Sequence, residues 1–258
     1  MIEIRSILVL LSLLSVIECK MEPYVVGGKR AKIKKFPHSV FINVICLNKG
    51  GEYVPWTCGG SIVNDKILLT AAHCLEDCTG QSQLFASVGH SHTDQGAVST
   101  VHSFYTHSRY KPSSTGYDIG LIRLSTPLTF SNNVQRLALM KNPPYYEKAQ
   151  IAGWGLIDEV EETKPTALHY TDQSVMQQRK CQRTVPGLPA GAICATSAKS
   201  ESYPARGDSG SALVVRGYIQ IGIVSYKLPK VSRSLVVYTD TGYFYDWIKK
   251  NSRRLYCV

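Results

Sequence analysis

Much of what this chain could be is excluded by what it lacks. Its 258 residues contain no apolar run near the roughly 20 residues that a membrane-spanning helix needs, and no internal repeat is visible. No Asn-x-Ser/Thr sequon occurs, so N-glycosylation is not expected. No cysteine spacing suggests a zinc finger, and the basic residues are not interleaved with aromatics as in a nucleic-acid patch. Acidic residues are scarce: 19 Asp and Glu face 29 Lys and Arg, a net charge of +10. Leaving out residues 1–19, which hold Glu3, Arg5 and Glu18, makes the rest +11. Such charge favours anionic partners. It is spread along the chain, however, and its longest cluster, Lys29 to Lys35, reads as a solvated turn. Neither nucleic acid nor a membrane is therefore an expected partner. A composition 44% hydrophobic and 19% charged, with 20 Gly and 12 Pro, excludes a disordered or fibrous chain and supports one or two packed domains.

What is present begins with Arg5 and a largely apolar run from Ile7 to Ile17, the length of a secretory h-region. The expectation is a signal peptide over 1–19, with a cut after Ser15 as the alternative, and a secreted, extracellular product. Eight cysteines stand at 19, 46, 58, 74, 78, 181, 194 and 257, and an oxidising compartment favours disulfides over metal ligands. Short apolar or alternating runs recur between turn signals: Val40 to Cys46, Ser61 to Val63, Ile67 to Ala71, Leu84 to Val88, Ile119 to Leu124, Gln150 to Trp154, Ser211 to Val215, Ile219 to Val224 and Leu235 to Thr239. This rhythm is all-β. Helical periodicity is confined to Tyr243 to Arg254, where Phe244, Trp247 and Ile248 share a stripe and predict one amphipathic C-terminal helix. The linker-like stretch from Leu137 to Lys148, centred on Asn142-Pro143-Pro144, divides the chain into halves of about 110 residues.

Three short motifs carry chemistry: Thr70-Ala71-Ala72-His73-Cys74, Asp118-Ile119-Gly120-Leu121-Ile122 and Gly207-Asp208-Ser209-Gly210-Ser211. Taken singly, His73 would be a core histidine, Asp118 a turn residue and the glycine pair an ordinary tight turn. In the order His, Asp, Ser they resemble the chymotrypsin-like serine proteases. Val25-Val26-Gly27-Gly28, Cys58-Gly59-Gly60-Ser61-Ile62-Val63, Ala152-Gly153-Trp154-Gly155, Val237-Tyr238-Thr239 and Tyr245-Asp246-Trp247-Ile248 extend the resemblance from Val25 to about Arg254.

The resemblance implies an all-β fold: two packed six-stranded antiparallel β-barrels and a C-terminal α-helix. A propeptide at 20–24 would precede a protease domain over 25–258. Its first barrel would run over about 25–137, its second over about 138–240 and the helix over about 243–254. A serine hydroxyl is a poor nucleophile, so Ser209 needs a base; His73 would supply it, and Asp118 would hold the imidazole in its productive tautomer. Backbone N–H groups of Gly207 and Ser209 would face the oxyanion. Asp208 would pair with the ammonium freed by cleavage before Val25. Cys58–Cys74 and Cys181–Cys194 match family bridges, and Cys46–Cys78 would be an additional pair joining two loops near the active-site rim. If the signal is cut after Ser15, Cys19–Cys257 would tether the propeptide; if after Cys19, Cys257 is left odd. No metal or cofactor is expected. His90 and His92 form at most a half-site, because no third ligand can be named. Tyr105, Tyr110, Tyr145 and Tyr146 read as half-buried strand residues. Expected partners are protein substrates, an activating protease and serpin or Kunitz-type inhibitors.

Departures from the family concern activation and specificity. Tyr24, instead of Arg or Lys, precedes Val25, which calls for a chymotrypsin-like activator or self-cleavage. The specificity pocket maps to Tyr203, Ser225, Tyr226, Lys227 and Val236. Tyr203 stands at its floor where a trypsin-like pocket has a carboxylate. Lys227 and Val236 add bulk, and Ala205 replaces a bracing cysteine. The expected enzyme is a secreted serine endopeptidase, not trypsin-like, that cleaves after small or medium uncharged residues. The alternative is a weak or inactive homologue that works by binding.

Overall fold

The computed structural model describes residues 26–199 and 202–257. The signal and propeptide segments, Cys19 and Val25 lie outside the described residues.

The chain forms two closed six-stranded antiparallel β-barrels. After β1 (Lys29–Arg30), the first barrel is built from β2 (Ser39–Leu47), β3 (Tyr53–Ile62), β4 (Ile67–Thr70), β5 (Gln83–Val88), β6 (Ala97–Thr106) and β7 (Gly120–Leu124). They close in the order β2-β3-β4-β7-β6-β5. Alternation explains the closure: Val40, Ile42, Val44 and Cys46 of β2 point into the barrel and are at most 1% exposed. Burying each of the three aliphatic chains stabilises the fold by roughly 1.5–3 kcal/mol.

The second barrel follows β8 (Ala138–Leu139) and contains β9 (Ala149–Gly153), β10 (His169–Val175), β11 (Ala192–Thr196), β12 (Ala212–Val215), β13 (Ile219–Lys227) and β14 (Val236–Asp240). Pairings β9-β10-β11-β14-β13-β12-β9 close it. Helix α1 (Gln178–Thr184) precedes β11, and α2 (Tyr245–Tyr256) ends the chain.

The two ends exchange barrels. β1 pairs with β10, and Ala31, Ile33 and Phe36 pack with Trp154 and Leu168. Residues 29–36, expected in the first barrel, therefore cover the second. Lys29 to Lys35 is not simply a solvated turn, because Ala31 and Ile33 anchor it from below. In return, Phe244 and Ile248 of the C-terminal segment enter the first barrel's core. The helix sits two residues beyond the expected 243–254, and α1 is an additional helix. Its polar sequence, with Cys181 the one buried side chain, offers no stripe to read.

Strands β6, β10 and β11 were not expected from the alternation. In β10 the inward residues are His169, Thr171 and Gln173, so the buried face looks polar in sequence. Of the four tyrosines expected in strands, Tyr105 alone lies in one. Tyr110 and Tyr145 are loop residues whose hydroxyls donate to Glu76 and Asp240, and Tyr146 is exposed. Disulfides join Cys46–Cys78, Cys58–Cys74 and Cys181–Cys194. Cys46 lies within β2 rather than in a surface loop. Among the described residues Cys257 forms no disulfide.

Candidate active site

His73 follows β4 on a single 3-10 turn, Ala72–Leu75, and Cys74 ties that turn to β3 through Cys58. Asp118 lies just before β7 and is 3% exposed. Its carboxylate takes the His73 backbone N–H on Oδ1 at 2.9 Å and contacts His73 Nδ1 through Oδ2 at 2.8 Å. The second barrel completes the support: Ser225 Oγ donates to Oδ2 at 2.5 Å, and Thr239 Oγ1 donates to the Asp118 carbonyl at 2.7 Å. Ser225, expected to line the specificity pocket, is one of the groups that brace the acid. Thr239 was visible in the sequence as part of a landmark but not as a contact to Asp118.

Electrostatics follow from these contacts. Burial alone would lower the His73 pKa, but the hydrogen bond and charge of Asp118, with the charge of Glu76, outweigh it and hold the imidazole above its ordinary value. For Asp118 burial pushes upward, and the donors from His73 and Ser225 reverse it, so the carboxyl stays below its usual range. The ring is arranged to accept a proton and the acid to remain an anion.

Ser209 sits in the turn between residues 205 and 210. Its carbonyl receives the Gly59 N–H from β3 at 2.7 Å, so both barrels hold this turn as well. Gly210 has φ +84°, and a Cβ there would meet Thr70 Oγ1 at 2.2 Å. No other residue fits. The neighbouring N–H groups of Asp208, Gly210 and Ser211 are bonded to Ala205, Val224 and Asp208 carbonyls. Those of Gly207 and Ser209 make no hydrogen bond among the described residues. The Arg206 carbonyl accepts from Leu156 N–H, so in a planar trans peptide the Gly207 N–H points the opposite way. Thr57, His73, Leu156, Gly207 and Ser209 line one cavity of about 590 Å³. No hydrogen bond joins Ser209 to His73 among the described residues, and such contacts are often long before substrate binds.

Asp208 is fully buried. Its Oδ1 takes the Gly155 N–H and its Oδ2 the Ala205 N–H, both at 2.8 Å. Gly155 is required by this approach, since a Cβ there would stand 2.5 Å from the carboxylate. Burial pushes the Asp208 pKa up to about 6 despite the two N–H donors. Among the described residues no cation lies within ion-pair distance.

The specificity residues are brought together only in part. Tyr203 is 7% exposed and lines a second cavity of about 340 Å³ with Lys227. Val236 is fully buried in the second barrel's apolar cluster, and Tyr226 packs beside Cys181 and Leu235. Glu159, which sequence reasoning did not single out, touches both Tyr203 and Lys227. His90 and His92 lie with their rings 5.7 Å apart; the Arg30 guanidinium stands 3.3 Å from His92 Nε2, and His90 Nδ1 accepts the His92 N–H at 3.1 Å.

The two-barrel fold with its C-terminal helix is the trypsin (chymotrypsin) fold. The Trypsin family model matches residues 25–248, and the chain belongs to that family. It is 34% identical to Hypodermin-B of Hypoderma lineatum over 241 residues, 91% of this chain and 90% of that protein. Identity to Trypsin beta of Drosophila erecta is 31% over 240 residues, 90% of each. Among solved structures, HL collagenase superposes with a TM-score of 0.77 at 25% identity, covering 88% of this chain and 98% of that one.

Proposed function

We propose that the chain is a secreted serine endopeptidase that hydrolyses peptide bonds through an acyl-enzyme on Ser209. The observation that carries this reading is the pairing of the His73–Asp118 couple with two uncommitted N–H groups, of Gly207 and Ser209, on one cavity. His73 takes the Ser209 proton and returns it to the leaving amine, Asp118 steadies the imidazolium, and the two N–H groups receive the developing oxyanion.

Activation follows the zymogen pattern. Signal 1–19 (or 1–15) and propeptide 20–24 are removed, leaving the domain from Val25. The new ammonium pairs with Asp208, a buried carboxylate without a cation among the described residues. The Val26 carbonyl accepts the Tyr203 N–H at 3.2 Å, which supports a path for the N-terminus beside the 203–208 segment. The three disulfides accord with secretion. Substrates are proteins, and an activating protease and serpin or Kunitz-type inhibitors are the partners of such a site. Tyr203 offers no carboxylate to a basic side chain, so the specificity is not trypsin-like.

A second reading, a weak or inactive homologue that works by binding, is favoured by the Glu159 carboxylate held between Tyr203 and Lys227. Intact mass before and after a fluorophosphonate probe separates the two. One adduct on a chain beginning at Val25, lost in Ser209→Ala, is the expected result. A chain beginning at Val25 that takes no adduct overturns the proposal in favour of the binding reading.

A further inference from the structure

The segment from Leu156 to Thr163 folds over Tyr203 and Lys227, and Glu159 at its bend places a carboxylate between them. Tyr203 OH donates to Glu159 Oε2 at 3.2 Å, and the Lys227 ammonium donates to Oε1. The same ammonium lies 4.9 Å from the centre of the Tyr203 ring. Arg233 lines this cavity too, while the neighbouring Asp158 is engaged within its own loop, capping the N–H groups of Val160 and Glu161. The Lys227 and Glu159 side chains are 22% and 34% exposed, so the pair is partly withdrawn from water but reachable.

We propose that Tyr203, Lys227 and Arg233 form a carboxylate-binding pocket that Glu159 fills in the free protein, and that the substrate side chain entering it is Asp or Glu. This rests on the reading of Ser209 as nucleophile and Tyr203 as pocket floor. The pocket is occupied by a charge, not merely narrowed, and this sets the selection. An incoming carboxylate replaces Glu159 like for like and inherits both donors. An uncharged side chain that displaced Glu159 would leave the Lys227 ammonium and the Tyr203 hydroxyl without their acceptor. A basic side chain would set a second cation against Lys227. Glu159 therefore acts as a tethered competitor: the pocket is available only in the fraction of molecules whose loop has swung aside, and apparent affinity falls by that fraction. A tethered group competes at an effective concentration in the millimolar range or above.

Binding is best measured apart from chemistry, in Ser209→Ala protein, with acetylated tetrapeptide amides that differ only in a final Glu, Gln, Leu or Lys. By calorimetry the Glu peptide should bind more tightly than the Gln peptide. Glu159→Gln should tighten the Glu peptide by about tenfold or more, as expected for removal of a tethered competitor, and the Glu peptide should remain tighter than the Leu peptide, which gains from the opened pocket but not from the two donors. Adding Lys227→Met should erase the Glu peptide's gain. Glu159→Ala is the second variant, since it removes the side chain without a new amide, and circular dichroism checks its fold. A Glu peptide no tighter than the Gln peptide in both Glu159 variants, or a Lys peptide bound most tightly, overturns the proposal. Failure of the catalytic reading shows up separately, as absence of fluorophosphonate labelling in the Ser209 protein.

Discussion

Asp118 and Asp208 are both buried carboxylates at the same site, and their acidities are displaced in opposite directions. Asp118 is held below the ordinary range, and Asp208 is pushed up to about 6. Burial opposes ionisation at both. What differs is the partner: Asp118 receives an imidazole, a backbone N–H and a hydroxyl, whereas Asp208 receives two backbone N–H groups. The first carboxylate has side-chain partners as folded, and the second has no cation within ion-pair distance among the described residues, the partner we propose for it being the Val25 ammonium. In one molecule, then, a buried carboxylate with side-chain donors can be compared directly with one that has backbone donors alone.

The comparison breaks most sharply at Asp118. Asp118→Asn should retain the fold yet lose about 10⁴-fold in kcat, because an amide favours the wrong imidazole tautomer; turnover of a peptide substrate, with circular dichroism as control, checks it. A loss below tenfold would remove Asp118 from the orienting role.

Cleavage before Val25 tests the other carboxylate. The folded Asp208 pKa of about 6 exceeds the unfolded value of 3.8, so the uncut chain binds the extra proton when folded. Its stability contribution is present below about pH 4 and lost as pH rises through 6, a cost of about 3 kcal/mol at neutrality. An ammonium at Val25 would cancel that loss. Buried His38, with its pKa lowered to about 3, acts in the opposite sense, since its stabilisation fades as pH falls from 6.5 toward 3. Only the difference between cut and uncut chains isolates Asp208. Thermal unfolding of both forms of Ser209→Ala between pH 4 and 7 should diverge as pH rises, and parallel curves would show that Val25 does not reach Asp208.

Ser225→Ala sharpens the comparison by taking one donor from Asp118. A hydrogen bond to a charged group contributes about 1.5–3 kcal/mol, so kcat should fall about tenfold or more. The smallest effect expected is at Glu76. Because Asp118 and Glu76 keep the His73 pKa above 6.5, the acidic limb of kcat/KM lies above pH 6.5, activity being lost as His73 protonates. Glu76→Gln should move that limb downward without changing the plateau, and an unmoved limb would assign the shift to Asp118 alone.

Legibility in the sequence followed the range of the interactions. His73, Asp118 and Ser209 sit in short motifs whose local geometry dictates their neighbours, as at Gly210, where nothing larger fits. The alternation in β2 marks a barrel wall because Val40, Ile42 and Val44 all face inward. β10 stayed hidden because its inward face is His169, Thr171 and Gln173, polar residues that a two-residue period assigns to solvent. Glu159 was invisible for another reason: it meets Tyr203 and Lys227 across 44 and 68 positions of chain, and nothing local marks it. The exchange of terminal segments between barrels is likewise a matter of tertiary packing, in which Phe244 finds a core built more than a hundred residues earlier.

Thr239 and Ser225 reach Asp118 from the second barrel, while Gly59 of the first holds the Ser209 carbonyl. Neither half of the chain therefore owns the whole of the candidate site. With Ser209 as nucleophile and His73 as its base, the roles we propose, a chain with only one barrel folded would hold the two apart, and silence before completion would be a matter of geometry. The same seam would make such an activity a report on docking, since the contacts that hold Asp118 and the Ser209 turn both cross it.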